Sequence, residues 1–147
     1  MEIQSLKVLV TDADLAALLK EAMSNHDSIE GLEARLTPEG ALLRGEYPTG
    51  FGLKVPFETV WQLVPAGPVL QVQLASVKVA GVPAGLLRGA LIRMVRDAVE
   101  GQPGLSVQEE AVVIDVAAAA RRYGVAVRVA FTAVRMSFGA LVVEAAS

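Results

Sequence analysis

Residues 79–104 read VAGVPAGLLRGALIRMVRDAVEGQPG, and this stretch restricts the fold more than any other. It leaves a strand-like end, starts a helix at Pro83 and stops on Gly101 and Pro103. At about 100° per residue, Ala84, Leu87, Ala90, Leu91, Ile92, Met94, Val95, Ala98 and Val99 spread over an arc of roughly 200°, well beyond the ~100° stripe of a surface helix. Arg93, Arg96, Asp97 and Glu100 take the remaining side, and Arg88 alone interrupts the apolar arc. A helix about 25 Å long and apolar over so much of its circumference calls for cover on several sides.

The rest of the chain is mostly strand-like. EIQSLKVLV (2–10) suits a first strand, and TDADLAALLKEAM suits a helix capped by Thr11 or Asp12, with Leu15, Leu18, Leu19, Ala22 and Met23 as a one-sided stripe. SNHDS then ends it. GLEARLT and ALLRGEY flank the turn Thr37-Pro38-Glu39-Gly40, a hairpin signal. In FGLKVPFETVWQL, Phe51, Leu53, Val55, Phe57, Trp61 and Leu63 alternate on one face, and Thr59 is the exception. Pro56, lacking an N–H, asks for an edge or a bulge there.

PAGP (65–68) turns the chain into VLQVQLASVKVAG, where Leu70, Val72 and Leu74 share one phase and Val77 and Val79 the other. That change predicts a bulge near Ala75-Ser76, which bends and twists a sheet. Beyond GQPG, LSVQEEAVVID reads as a strand pair or bent strand, and VAAAARRYG as a short helix closed by Gly124. VAVRVAFTAVRM and ALVVEA form a last hairpin through Ser137-Phe138-Gly139. No linker or internal repeat divides the chain, so residues 1–147 read as one domain.

Composition narrows the functional classes. Apolar residues make up 53% of the chain, and the mean hydropathy is +0.48. Every apolar run stops well short of the ~20 residues that span a bilayer. A large core, or apolar surface kept for a ligand or partner, accounts for the surplus. With no cysteine, disulfides and thiolate chemistry are excluded. Glu2 stands where a signal peptide would be basic, so the chain reads as cytoplasmic as given; an exported form with its leader removed would read the same. A net charge of −3 and a pI near 5.2 argue against nucleic acid as a partner.

Catalytic groups are scarce. His26, the single histidine, sits in a polar connection beside Asp27; as a base it would need a nucleophile and an orienting partner, and as a metal ligand companions of its kind, so it reads as a solvent-exposed loop histidine. Glu109 and Glu110, as strand neighbours, point to opposite faces, and Asp115 follows them as a solvated carboxylate. Gly45, Gly50 and Gly52 lack the Lys-Ser/Thr and the strand–loop–helix setting of a phosphate loop. No catalytic residue, metal ligand or cofactor is expected, and the chain reads as a non-enzyme.

Three passages carry a resemblance: LVTDADLAALLKEAM, LQVQLASVKVAGVPAGLLRGALIRMV and VRVAFTAVRMSFGALVVEA. In their order they resemble the tubular lipid-binding superfamily (TULIP; the group of bactericidal permeability-increasing protein and the synaptotagmin-like mitochondrial lipid-binding proteins), particularly its small bacterial single-domain relatives. The resemblance implies an α+β fold. A strongly curved antiparallel β-sheet wraps around the long amphipathic helix, with an N-terminal helix and a short third helix beside it. It also implies a ligand: lipid, or another long apolar molecule such as a fatty acid, in the groove between helix and sheet. Each buried CH₂ of such a ligand contributes roughly 0.8 kcal/mol.

The candidate lining is Phe51, Leu53, Phe57, Trp61, Leu70, Val72, Leu87, Leu91, Met94 and Phe131. A carrier of this kind would touch a membrane transiently. The alternative is a structural or assembly module whose apolar surface forms a homodimer with no ligand.

Overall fold

The computed structural model describes residues 1–23, 30–48, 52–81 and 83–147. In chain order the elements are β1 (Glu2–Ile3), β2 (Ser5–Thr11), α1 (Asp12–Ala22), β3 (Glu30–Thr37), β4 (Gly40–Pro48), β5 (Lys54–Ala66), β6 (Val69–Val79), α2 (Ala84–Val99), β7 (Leu105–Gln108), β8 (Ala111–Ile114), α3 (Val116–Arg121), β9 (Ala126–Val127), β10 (Ala130–Ser137) and β11 (Ala140–Ala146). One antiparallel sheet has the order β3-β4-β5-β6-β8-β7, a second β10-β11-β2, and β1 pairs with β9 in parallel.

Short-range chemistry forms the elements where the residues place them. Pro38 and Glu39 make a two-residue turn with Thr37 paired to Gly40. At the bulge, Val60 pairs with Ser76 and Trp61 with Leu74, leaving Ala75 as the extra residue. The bulge therefore brings Leu70, Val72 and Leu74 onto the same face as Val77 and Val79, opposite Leu63, Trp61, Thr59 and Phe57. Pro56 lies in the part of β5 that pairs with β4 alone, so no bond to β6 is lost there.

One face of the large sheet is buried. From β3 to β6 it lies under the small sheet, where Leu36, Ala41, Trp61, Leu70 and Leu74 share one core with Phe131, Leu141, Val143 and Ala145. Elsewhere on that face, α2 lays Leu87 and Leu91 on Phe57. The junction of α1, β3 and the last hairpin is tied by polar bonds. The Leu36 amide donates to Asp12 Oδ1 at 2.7 Å, and the Gly139 amide donates to the Leu36 carbonyl at 2.9 Å.

The expected architecture is corrected on its central point. The described residues are mainly sheet, 55% strand against 24% helix, and among them no long helix lies inside a curved, wrapping sheet. Helix α2 has 16 residues and buries only Leu87, Leu91 and Ile92, while Leu86 is 67% exposed. It rests against β6 and β7. Three alanines, Ala84, Ala90 and Ala98, widen its apolar arc but carry little surface that needs cover. The cover over the rest of the sheet is a second sheet, and both sheets are open.

Three smaller expectations also change. The last hairpin begins only at Ala130, because Ala126–Val127 pairs with β1 instead. The single first strand is two pieces, because Glu2–Ile3 joins β9 while Ser5–Thr11 joins β11. Glu109 and Glu110 are not on a strand; they form the turn between β7 and β8.

Candidate functional site

Between the two sheets lies a cavity of about 520 Å³. Its floor is the inner face of the large sheet: Leu36, Ala41, Leu43, Trp61, Leu63, Leu70, Val72, Val112 and Ile114. Its roof is Leu6, Val8 and Val10 of β2 with Phe131, Leu141 and Val143. Leu15, Leu18 and Leu19 of α1 close one side, and Val95 and Val116 also reach it. Alternation explains the walls: residues two apart on a strand face one way, so β2 sends Leu6, Val8 and Val10 inward together. At the mouth, Val8 and Leu18 line the cavity and are still 45% and 59% exposed.

Every lining side chain is apolar. The one polar hydrogen among them, on Trp61 Nε1, is donated to Thr59 Oγ1 at 2.9 Å and so faces the sheet's own interior. A cavity of this size is in the ~300–1,000 Å³ range of ligand pockets. It offers a hydrocarbon surface and no partner for a buried charge or hydroxyl.

Of the ten residues expected to line a groove, Trp61, Leu70, Val72 and Phe131 line this cavity. Phe57, Leu87 and Leu91 form a separate packed cluster with Met94 against it. Leu53 is 69% exposed and is not among the walls of this cavity. Phe51 lies outside the described residues, as do His26 and Gly50. The groove between helix and sheet is thus replaced by a cavity between sheets. The residues missed include the walls from β3, β4, β8 and β11, and above all those of β2 and α1. Their alternation and one-sided stripe were visible, but nothing local told that both face the β5–β6 hairpin.

Several polar groups among the described residues have structural partners. Asp115 caps α3 by accepting from the Ala118 amide at 3.0 Å. Thr11 and Asp14 form a capping box at the start of α1, and bonds from the Thr11 amide and hydroxyl hold the Asp14 carboxyl below its ordinary value. Lys54 is paired with Glu30, which raises its pKa. Among the described residues no group of three or more His, Cys, Asp or Glu is placed to hold a metal, and no helix is long and apolar enough to cross a membrane. Comparison with known proteins finds no matching family model, curated protein or solved structure.

Proposed function

We propose that this chain binds a lipid or another long apolar ligand without chemical turnover, with the hydrocarbon in the cavity between the two sheets. The observation that carries the reading is the cavity itself: about 520 Å³ walled by apolar side chains alone. Its mouth between Val8 and Leu18 gives a chain a way in, and a polar head group stays at that mouth in water. Lipid carriage is also what the resemblance to the tubular lipid-binding proteins implies, although here the apolar space lies between two sheets and not around a helix. Affinity comes from apolar area, so selectivity among chains of similar length is modest.

Native mass spectrometry of protein purified without detergent, with extraction and identification of bound lipid, tests the reading. Lipid at near-stoichiometric amounts is expected, or uptake of added palmitate by the free protein. Val72→Phe, which fills the floor, and Leu18→Glu, which puts charge at the mouth, are both expected to reduce uptake at least about tenfold. A free protein that takes up neither palmitate nor phospholipid would sink the idea.

A further inference from the structure

The two main sheets have four outer strands, β3, β7, β10 and β2, and three of them are protected against pairing with another chain. Strand β3 carries Glu30, Glu33 and Arg35, changes register between Glu30 and Glu33, and has the Leu36 amide and carbonyl taken by Asp12 and Gly139. Strand β7 is four residues long and lies under α2. Strand β10 changes register between Phe131 and Ala133, and its Phe131 amide is bonded to the Gly67 carbonyl at 2.8 Å.

Strand β2 is less protected: it has no register change, and along its edge only the last amide, that of Thr11, is taken, by Asp14. Its seven residues, SLKVLVT, keep an unbroken register with β11, and no described residue pairs with the outer edge of Ser5–Val10. The single charge, Lys7, is drawn to Glu144 of the neighbouring strand at 3.7 Å. Val8 and Leu9 are 45% and 61% exposed. A regular, apolar, unpaired edge is a template for another strand.

We propose that this edge is a homodimer interface, in which β2 pairs antiparallel with β2 of a second copy about a two-fold axis at Val8. The occupant follows from self-complementarity. A register centred on Val8 sets Leu6 opposite Val10 and Lys7 opposite Leu9, and brings Ser5 level with Thr11, whose amide stays with Asp14. No like charges meet, whereas centring on Lys7 would put two lysines on the axis. The register also keeps Leu6, Val8 and Val10 of both copies on one face. The two three-stranded sheets become one six-stranded roof over two cavities. The pairing stands whether or not the cavities take a ligand.

Sedimentation of the full chain, at about 100 μM because a short strand pairing alone is a weak interface, tests this with two variants at one exposed position. Wild type is expected to be a dimer. Leu9→Lys sets a lysine against the partner copy's own lysine twice per dimer and should weaken association about tenfold or more. Leu9→Glu, equally polar, meets that lysine with the opposite charge and should keep the dimer. Leu9 is outside the cavity walls, and circular dichroism checks that both variants fold. A monomeric wild type overturns the proposal. So does a dimer indifferent to Leu9→Lys, or one that Leu9→Glu breaks equally.

Discussion

The indole of Trp61 donates from Nε1 to the hydroxyl of Thr59, 2.9 Å away on the same face of β5. Thr59 is the residue that breaks the strand's apolar alternation, and it is 1% exposed. Its hydroxyl in turn donates to the Leu43 carbonyl at 3.3 Å, so the polar pair is closed within the sheet. Thr59→Val keeps the shape and leaves the buried N–H without an acceptor, which costs about 1–3 kcal/mol. Thr59→Ser, which keeps the hydroxyl, should lose less. Urea unfolding followed by circular dichroism compares the three, and equal midpoints for valine and wild type would show that the bond contributes nothing.

Arg88 is the matching exception on α2. Its Nη1 and Nη2 donate to the Leu74 carbonyl at 3.1 and 3.3 Å, beside the bulge, and Nη1 lies 3.2 Å from Glu110. The guanidinium thus ties the helix to the strand where the bulge interrupts the ladder. Arg88→Met keeps the stem and removes the donors, with an expected loss of about 1–2 kcal/mol. Glu110→Gln touches only the more exposed half of the contact and should stay within about 0.5 kcal/mol of wild type. Denaturation midpoints decide; a larger loss for Glu110→Gln would reverse the assignment.

These two exceptions show what was legible in the residues. The turn at Pro38-Glu39, the cap at Thr11 and the bulge at Ala75 depend on neighbours a few positions away, and their patterns declared them. Thr59 and Arg88 were visible as interruptions, but their partners were not, because Leu43 and Leu74 belong to other strands. The cavity was least legible. Its walls come from both ends of the chain, Leu6 and Val143 among them, and alternation says which residues share a face without saying what that face meets. The wide arc of α2 misled for a related reason: angular counting gives an alanine the same weight as a leucine.

Glu109 is the one residue other than glycine with positive φ among the described residues, at 56° in the two-residue turn between β7 and β8. A side chain in that region costs about 1–2 kcal/mol, and glycine adopts it freely. Glu109→Gly is expected to raise stability by about 0.5–1 kcal/mol, since the gain exceeds the added freedom of the unfolded chain. Gly40→Ala should do the opposite. At φ 147° its added Cβ would run into the Trp61 carbonyl oxygen and come within 2.9 Å of Val60 Cγ1, so a loss above about 2 kcal/mol is expected. Thermal melts of both variants read the two signs.

The capping box gives α1 a dependence on acid. Bonds from the Thr11 amide and hydroxyl, each 3.0 Å, stabilise the ionised Asp14 and lower its pKa from the ordinary 3.8. With the folded value below the unfolded one, the contribution is complete above the unfolded value and fades as pH falls through the folded one. The stability gap between wild type and Asp14→Ala should therefore be constant from about pH 5 to 8 and close below about pH 4. Titrating both proteins by urea unfolding at each pH measures it, and a gap that persists unchanged in acid would rule out the carboxylate's role.

Helix α1 also connects stability to the cavity. Its apolar stripe, Leu15, Leu18 and Leu19, faces the cavity, and no described side chain of the helix is fully buried. Eleven residues make a marginal helix without packing, even with a good cap. A hydrocarbon in the cavity would supply the missing contacts. Amide exchange across Leu15–Lys20 is therefore expected to slow at least about tenfold when palmitate is added, while β4 and β5, already paired on both sides, change little. Leu18→Glu should abolish the slowing without altering exchange in the free protein's sheets. Exchange in α1 that ignores bound palmitate would place the ligand elsewhere than against this helix.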